Sequence, residues 1–345
     1  MVFVKKEGVI LEATESEFEN QAVLNPACVQ EGKTIRMFYR AVGQGNHSSI
    51  GHCELAGPLK VVKRYQKPVL FPEFDYEKRG TEDPRIVFLD GIYYLFYVAY
   101  DGKNALGALA TSQDLKKFEK RGIITPQISY DLAEEKFHEV KSKLKDRYFF
   151  FKSYYEDVVG KGVLLWEKDH FIFPQKIKGK FALIHRILPD IQIAYFNDFA
   201  ELNTEYWLNY LKKLSDYVVL ESKYWFESRN IGGGCPPLET DKGWLLIYHA
   251  VEDSNSGKIY RAGAALLDKE DPGKVIGHLR EPLFSPEEEW ELKGDVDNVV
   301  FPTGTAQFGN RLYIYYGAAD KRIAVASLDI NELLAELLNE AKSKN

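Results

Sequence analysis

Along the chain, one arrangement of apolar and polar positions recurs five times. A turn rich in glycine and charge leads into an aromatic-rich run. A polar turn then leads into a second run built on small residues. The copies are GKTIRMFYRAVG (residues 32–43) with SSIGHCEL, DGIYYLFYVAYDG (from Asp90) with ALGALATS, KGKFALIHRI (from Lys178) with IQIAYFND, DKGWLLIYHAVE (from Asp241) with YRAGAALLD, and GNRLYIYYGAAD (from Gly309) with KRIAVASLD. Such runs, bounded by turn residues, predict antiparallel strand pairs. They return at a spacing of roughly 60 residues, wider before the third copy, which leaves room for four strands in each. One four-stranded blade cannot bury both its faces alone, so repeats of this kind are the mark of a β-propeller. The expectation is an all-β fold in which residues 1–345 form a single five-bladed propeller domain. A β-sandwich would not repeat one strand pair five times.

Two segments depart from the repeat. Residues 127–160 contain DLAEEKFHEVKSKLKDRYFFF, read as a charged helix followed by a strand. Near the C-terminus, Leu333, Leu334, Leu337 and Leu338 fall at helical spacing and predict a helix over 330–343, capped by Asp329 or Asn331. That helix is expected to pack on the outside of the propeller or to mediate self-association into a homo-oligomer.

Composition narrows the classes. The 45% of hydrophobic residues excludes general disorder, and the 14% of aromatic residues favours pleated surfaces and rings that can pack on sugar faces. The net charge is -6, and the densest basic run (Lys141, Lys143, Lys145, Arg147) sits among acidic residues, so nucleic acid is not an expected partner. Cys28, Cys53 and Cys235 are far apart and odd in number, which suggests neither a disulfide framework nor a metal site and fits a reducing compartment. The N-terminus does not read as a signal peptide, and no apolar run is long enough to span a membrane. A cytoplasmic location is therefore expected. Histidines show no HxH or HExxH spacing and GxGxxG is absent, so no metal or nucleotide cofactor is implied. The IGGG run at residues 231–234 reads as a place where backbone approaches a pocket closely.

Candidate chemistry lies where inner strands end. Arg40, Asp83, Arg186, His249 and Asp320 occupy nearly equivalent places in different copies of the repeat. Each alone reads as a solvated or structural group; together they suggest a pocket. With Lys168, the residues Arg186 and His249 make one side basic, which suits an anion such as phosphate.

At these residues the chain resembles glycoside hydrolase family 130, which includes β-mannoside phosphorylases and β-1,2-mannosidases. The motifs are EDPR (Glu82–Arg85), FPQKIKGKFALIHR (Phe173–Arg186), NIGGGCPPLET with GWLLIYH, AALLDKEDPGKV, and NVVFPTG with LYIYYGAAD. They extend the resemblance from about Asn25 to Asp329. The resemblance implies a five-bladed propeller and places the single catalytic acid at Asp83, whose proton passes through a hydroxyl of the mannosyl ring. It assigns mannose binding to Asn25, Arg40, Arg85 and Asp320. Phosphate binding falls on Arg186 and His249, with Lys168 where the family has an arginine and Asn230 where it has a lysine. The expected reaction is inverting phosphorolysis of a short β-mannoside with inorganic phosphate as co-substrate, giving mannose 1-phosphate. The alternatives are an inverting β-mannosidase using water, with Glu227 as base, and a non-catalytic carbohydrate-binding propeller.

Overall fold

The computed structural model describes residues 2–140, 144–255 and 257–342. Lys141 and Lys143 of the basic run, and residue 343 of the expected C-terminal helix, lie outside the described residues. The chain is mainly β with few helices. Strand β1 (Lys5–Leu11) precedes a first group, β2 (Ala22–Glu31), β3 (Thr34–Gly43), β4 (His47–Ala56) and β5 (Lys60–Arg64). A second group holds β6 (Gly80–Leu89), β7 (Ile92–Tyr100), β8 (Ala105–Ser112) and β9 (Glu119–Ile123). Helices α1 (Tyr130–His138) and α2 (Arg147–Val159) follow. The third group is β10 (Phe171–Ile172), β11 (Phe181–His185), β12 (Ile191–Phe196) and, after α3 (Thr204–Leu211), β13 (Val218–Leu220). The fourth is β14 (Asn230–Gly233), β15 (Leu238–Thr240), β16 (Gly243–Ser254), β17 (Gly257–Leu267) and β18 (Val275–His278). Helix α4 (Glu289–Leu292) leads to β19 (Val300–Phe308), β20 (Arg311–Ala318), β21 (Arg322–Asp329) and α5 (Ile330–Lys342).

The repeated pairs of the sequence are antiparallel neighbours: β3–β4, β7–β8, β11–β12, β16–β17 and β20–β21. The first two groups join through one parallel pairing, Ser48 with Gly80, which makes a single eight-stranded sheet. β1 completes the last group by pairing antiparallel with β21, so segments from both ends of the chain share a sheet.

A buried carboxylate recurs in every group. Glu19, Glu77, Glu167, Glu227 and Glu291 are each at most 2% exposed. Four of them accept a hydrogen bond from a tyrosine in the group's aromatic-rich strand: Tyr39 (2.8 Å), Tyr97 (2.5 Å), Tyr248 (2.6 Å) and Tyr316 (2.5 Å). In the third group His185 takes the tyrosine's place, with Nδ1 3.0 Å from Glu167. The outermost strand adds a basic side chain in the other four: Arg64, Lys120, His278 and, on β1, Lys6. Glu77, Glu227 and Glu291 also accept backbone N–H groups from the two residues three and four positions earlier. A buried carboxylate without donors is prohibitively costly, so these latches fix the outer strand, the middle strand and the turn into the inner strand together.

The insertion corrects one expectation. Residues 147–159 form a helix where a strand was expected to follow α1. The β propensity of tyrosine and phenylalanine is weak against packing. Tyr148, Phe151 and Tyr155 instead fall on one helical face and are buried, while Phe150 is left exposed. The C-terminal helix forms as read: Asp329 accepts from the N–H groups of Asn331 (2.8 Å) and Glu332 (3.4 Å), and Leu333, Leu334 and Leu337 are buried. The backbone of α5 at Leu337 lies directly against Gly277 of β18, where a side chain would collide. No helix among the described residues is long and apolar enough to cross a membrane.

Glu77→Ala removes the acceptor for Tyr97 and Lys120 and should lower unfolding stability by about 3–5 kcal/mol. Chemical denaturation measures it; a loss under about 1 kcal/mol would contradict the latch, since that is the size of an exposed ion pair.

Candidate active site

The site begins with two matched strand irregularities. Six residues after Glu19 comes Asn25-Pro26, and six after Glu77 comes Asp83-Pro84. Asn25 and Asp83 have φ of 49° and 48°, a left-handed conformation that Asn and Asp tolerate better than most residues. Each lies at a register shift, in β2 against β3 and in β6 against β7. A bulge re-aims a side chain, and here the two side chains meet: the Asn25 amide donates to Asp83 Oδ1 at 2.7 Å. Gly317 on β20 leaves space for Asn25, because a Cβ there would collide with its Oδ1.

A cavity of about 230 Å³ opens at these strand ends. It is lined by eight of the residues singled out in the sequence: Asn25, Arg40, Asp83, Lys168, Arg186, Asn230, His249 and Asp320. Arg40, near the end of β3, lies 3.5 Å from the Asp83 carboxylate and donates to Glu82 at 2.8 Å. Lys168 approaches the other Glu82 oxygen at 3.3 Å. Arg186, just after β11, pairs with Asp169 at 2.8 Å. His249 of β16 has Nε2 3.4 Å from Arg186 Nη1. Gly232 must be glycine here, since a Cβ would lie 2.7 Å from Asp169 and collide with the His249 ring. The IGGG run thus lets backbone pack closely beneath the basic cluster.

Two of the cavity carboxylates, Asp83 and Asp320, are driven apart. Burial would raise Asp83, but Arg40, then Lys168 and the Asn25 amide, outweigh it and bring it to about 2. Burial prevails at Asp320, and with the nearby Asp83 charge holds it up at about 6 against Arg40 and Lys168. Burial lowers His249 to about 3, so its imidazole is neutral at pH 7. Among the described residues, Asn25 Oδ1, Arg186 Nε and His249 Nδ1 are buried polar atoms with no hydrogen-bond partner within the protein. Such atoms are uncommon and suit a polar ligand.

Two expectations are corrected. Glu227 does not reach the cavity and is no candidate for activating water there. It is fully buried, and its oxygens hold the Tyr248 hydroxyl, His278 and the N–H groups of Lys223 and Tyr224. Arg85 does not line the cavity either. It is 1% exposed and donates to the carbonyls of Gly234, Asp83, Pro84 and Gly233. One Nη lies 3.5 Å from Asp169. It ties together the backbone beneath the cavity.

Sequence reading missed Asp169, the shared partner of Arg186, Arg85 and His249. It also missed Phe151, Tyr154 and Tyr155 of α2, together with Trp166, Arg229, Lys258, Tyr260 and Phe301. Asp169 offered one signal, standing two residues after the latch Glu167.

Carboxylates, cations and aromatic rings around one cavity on a repeated β scaffold make an enzyme site. The model of glycoside hydrolase family 130, described as beta-1,4-mannooligosaccharide phosphorylase, matches residues 5–165 and 153–340. The chain is 34% identical to the 1,2-beta-oligomannan phosphorylase of Thermoanaerobacter sp. (strain X514), over 94% of this chain and 96% of that one. It is 33% identical to a beta-1,2-mannobiose phosphorylase of the same organism, over 91% and 92%. The solved structure of the beta-1,2-mannobiose phosphorylase from Listeria innocua with beta-1,2-mannobiose has the same fold, with a TM-score of 0.72 at 22% identity over 98% of this chain and 99% of that one. The chain belongs to glycoside hydrolase family 130.

Asp320 binds its proton more tightly folded than unfolded, so it costs stability as pH rises from about 4 to about 6. Asp320→Asn should therefore raise stability at pH 7.5 by about 2 kcal/mol and by almost nothing at pH 4. Melting curves at both pH values check this; an equal shift at each would contradict it.

Proposed function

We propose that the protein is an inverting β-mannoside phosphorylase, acting on a short β-1,2-linked manno-oligosaccharide with inorganic phosphate and without a cofactor. The five strand groups are then the blades of one propeller domain, with β1 closing the ring and the cavity at one end of the central channel. The observation that carries the reaction is the composition of the cavity. Asp83 shares the cavity with cations and with unpartnered donors at Arg186 and His249, while Glu227, the glutamate expected to activate water, is buried outside it. The β-1,2 linkage rests on the names of relatives that match more than nine-tenths of the chain.

In this reading Asn25, Arg40 and Asp320 hold the mannosyl ring, and the basic side orients phosphate behind its anomeric carbon. A phosphate oxygen forms the new bond to that carbon as the glycosidic bond breaks, which inverts its configuration. The leaving oxygen takes a proton from a ring hydroxyl, which is resupplied from Asp83. In the free protein Asp83 is ionised at neutral pH. A bound phosphate anion and the loss of water both favour its neutral form, so substrates themselves bring it toward an acid. Holding the reactants in line supplies much of the remaining acceleration.

Incubation of the protein with β-1,2-mannobiose, with and without inorganic phosphate, tests this. Mannose 1-phosphate is expected only with phosphate, and Asp83→Asn should lower turnover about 10²- to 10⁴-fold while mannobiose still binds. Release of free mannose at one rate in both conditions would overturn the phosphorolytic reading.

A further inference from the structure

The cations of the basic side are already engaged. Arg186 pairs with Asp169 at 2.8 Å and Lys168 with Glu82 at 3.3 Å. The His249 imidazole is neutral at pH 7, and Asn230 carries no charge. This set supplies hydrogen-bond donors but little uncompensated positive charge for a phosphate dianion.

Two other cations line the same cavity, Arg229 and Lys258. Both converge on Tyr154 of the inserted helix α2. The Arg229 guanidinium lies 4.6 Å from the centre of the Tyr154 ring and 5.8 Å from that of Phe151. The Lys258 ammonium donates to the Tyr154 hydroxyl at 2.9 Å and lies 5.1 Å from the ring centre. Arg229 has a carboxylate partner, Asp253 at 3.2 Å, but Asp253 is half exposed and its charge is screened by solvent. Arg147 at the start of α2 donates to the carbonyls of Ser228 and Arg229, which fastens the helix to the entry of β14. The phenol reports the local field. Burial would raise it, yet the Lys258 hydrogen bond and the charges of Lys258 and Arg229 hold it below its ordinary value. A phenol that accepts from an ammonium keeps its own hydrogen for an anion.

We propose that Arg229 and Lys258, braced on Tyr154 of α2, are phosphate-binding cations that supply the charge Asn230 lacks; this rests on the phosphorolytic reading above. The insertion thereby becomes part of the phosphate subsite. A guanidinium stacked on rings is pre-organised, so it can grip phosphate with little loss of freedom. In the reverse direction the same pair receives the phosphoryl group of mannose 1-phosphate.

The test is steady-state phosphorolysis of β-1,2-mannobiose with inorganic phosphate as the varied substrate. Arg229→Gln and Lys258→Gln are each expected to raise the KM for phosphate about tenfold or more, the size of one charge-assisted contact, and to leave the KM for mannobiose at saturating phosphate unchanged. Adding Asn230→Lys to the double variant should recover part of the loss, which a merely structural role would not allow. Lys258→Gln alters a partly exposed side chain and keeps the test decisive should the Arg229 variant misfold. An unchanged phosphate KM in a folded Lys258→Gln variant, beside a wild-type enzyme that does require phosphate, overturns this proposal alone. A wild-type enzyme indifferent to phosphate overturns the phosphorolytic reading first.

Discussion

A carboxylate cannot stay ionised inside a protein unless donors surround it, and this chain meets that requirement once in each of its five strand groups. The demand is local, but its effects reach across the group. To satisfy Glu77, the hydroxyl of Tyr97 on β7, the ammonium of Lys120 on β9 and the N–H groups of the preceding turn must all converge. Glu291 makes the same demand on β1, through Lys6, and so ties the beginning of the chain to its last sheet. Hydrophobic burial supplies most of the stability, while the latches decide which strand lies where.

The same device positions the chemistry. Each inner strand leaves its latch in a fixed orientation, and six residues later two of them turn a side chain into the cavity through a left-handed Asn-Pro or Asp-Pro step. Asn25 and Asp83 therefore meet at 2.7 Å although they are 58 positions apart. Arg85 and Asp169 make a second layer below, tying the carbonyls of Gly233 and Gly234 to Arg186. Its rigidity comes from buried charges held against one another and against backbone carbonyls.

Much of the strand arrangement was legible because each pair carries its own signal, an aromatic run and a small-residue run between turn residues. The latches were written just as plainly, as an aromatic residue followed by glutamate: Phe18-Glu19, Tyr76-Glu77, Trp166-Glu167, Phe226-Glu227 and Trp290-Glu291. They escaped notice because a glutamate between strands reads as solvated, and the misreading of Glu227 as a base follows from that. Eight of the expected site residues meet in one cavity, most of them on corresponding strands of different groups. Arg85 occupies such a strand too, but a bulge turns it beneath the floor. Tyr154, Arg229 and Lys258 were beyond reach, since they come together only when α2 folds as a helix, and tertiary packing sets that choice.

The central claim is a single displacement in which phosphate attacks the anomeric carbon from the face opposite the leaving sugar. Its most direct test is proton and phosphorus NMR of the first product formed from β-1,2-mannobiose in phosphate buffer. Single inverting displacement gives the α-anomer of mannose 1-phosphate at the earliest times. The β-anomer, or free mannose without a phosphate ester, would contradict it.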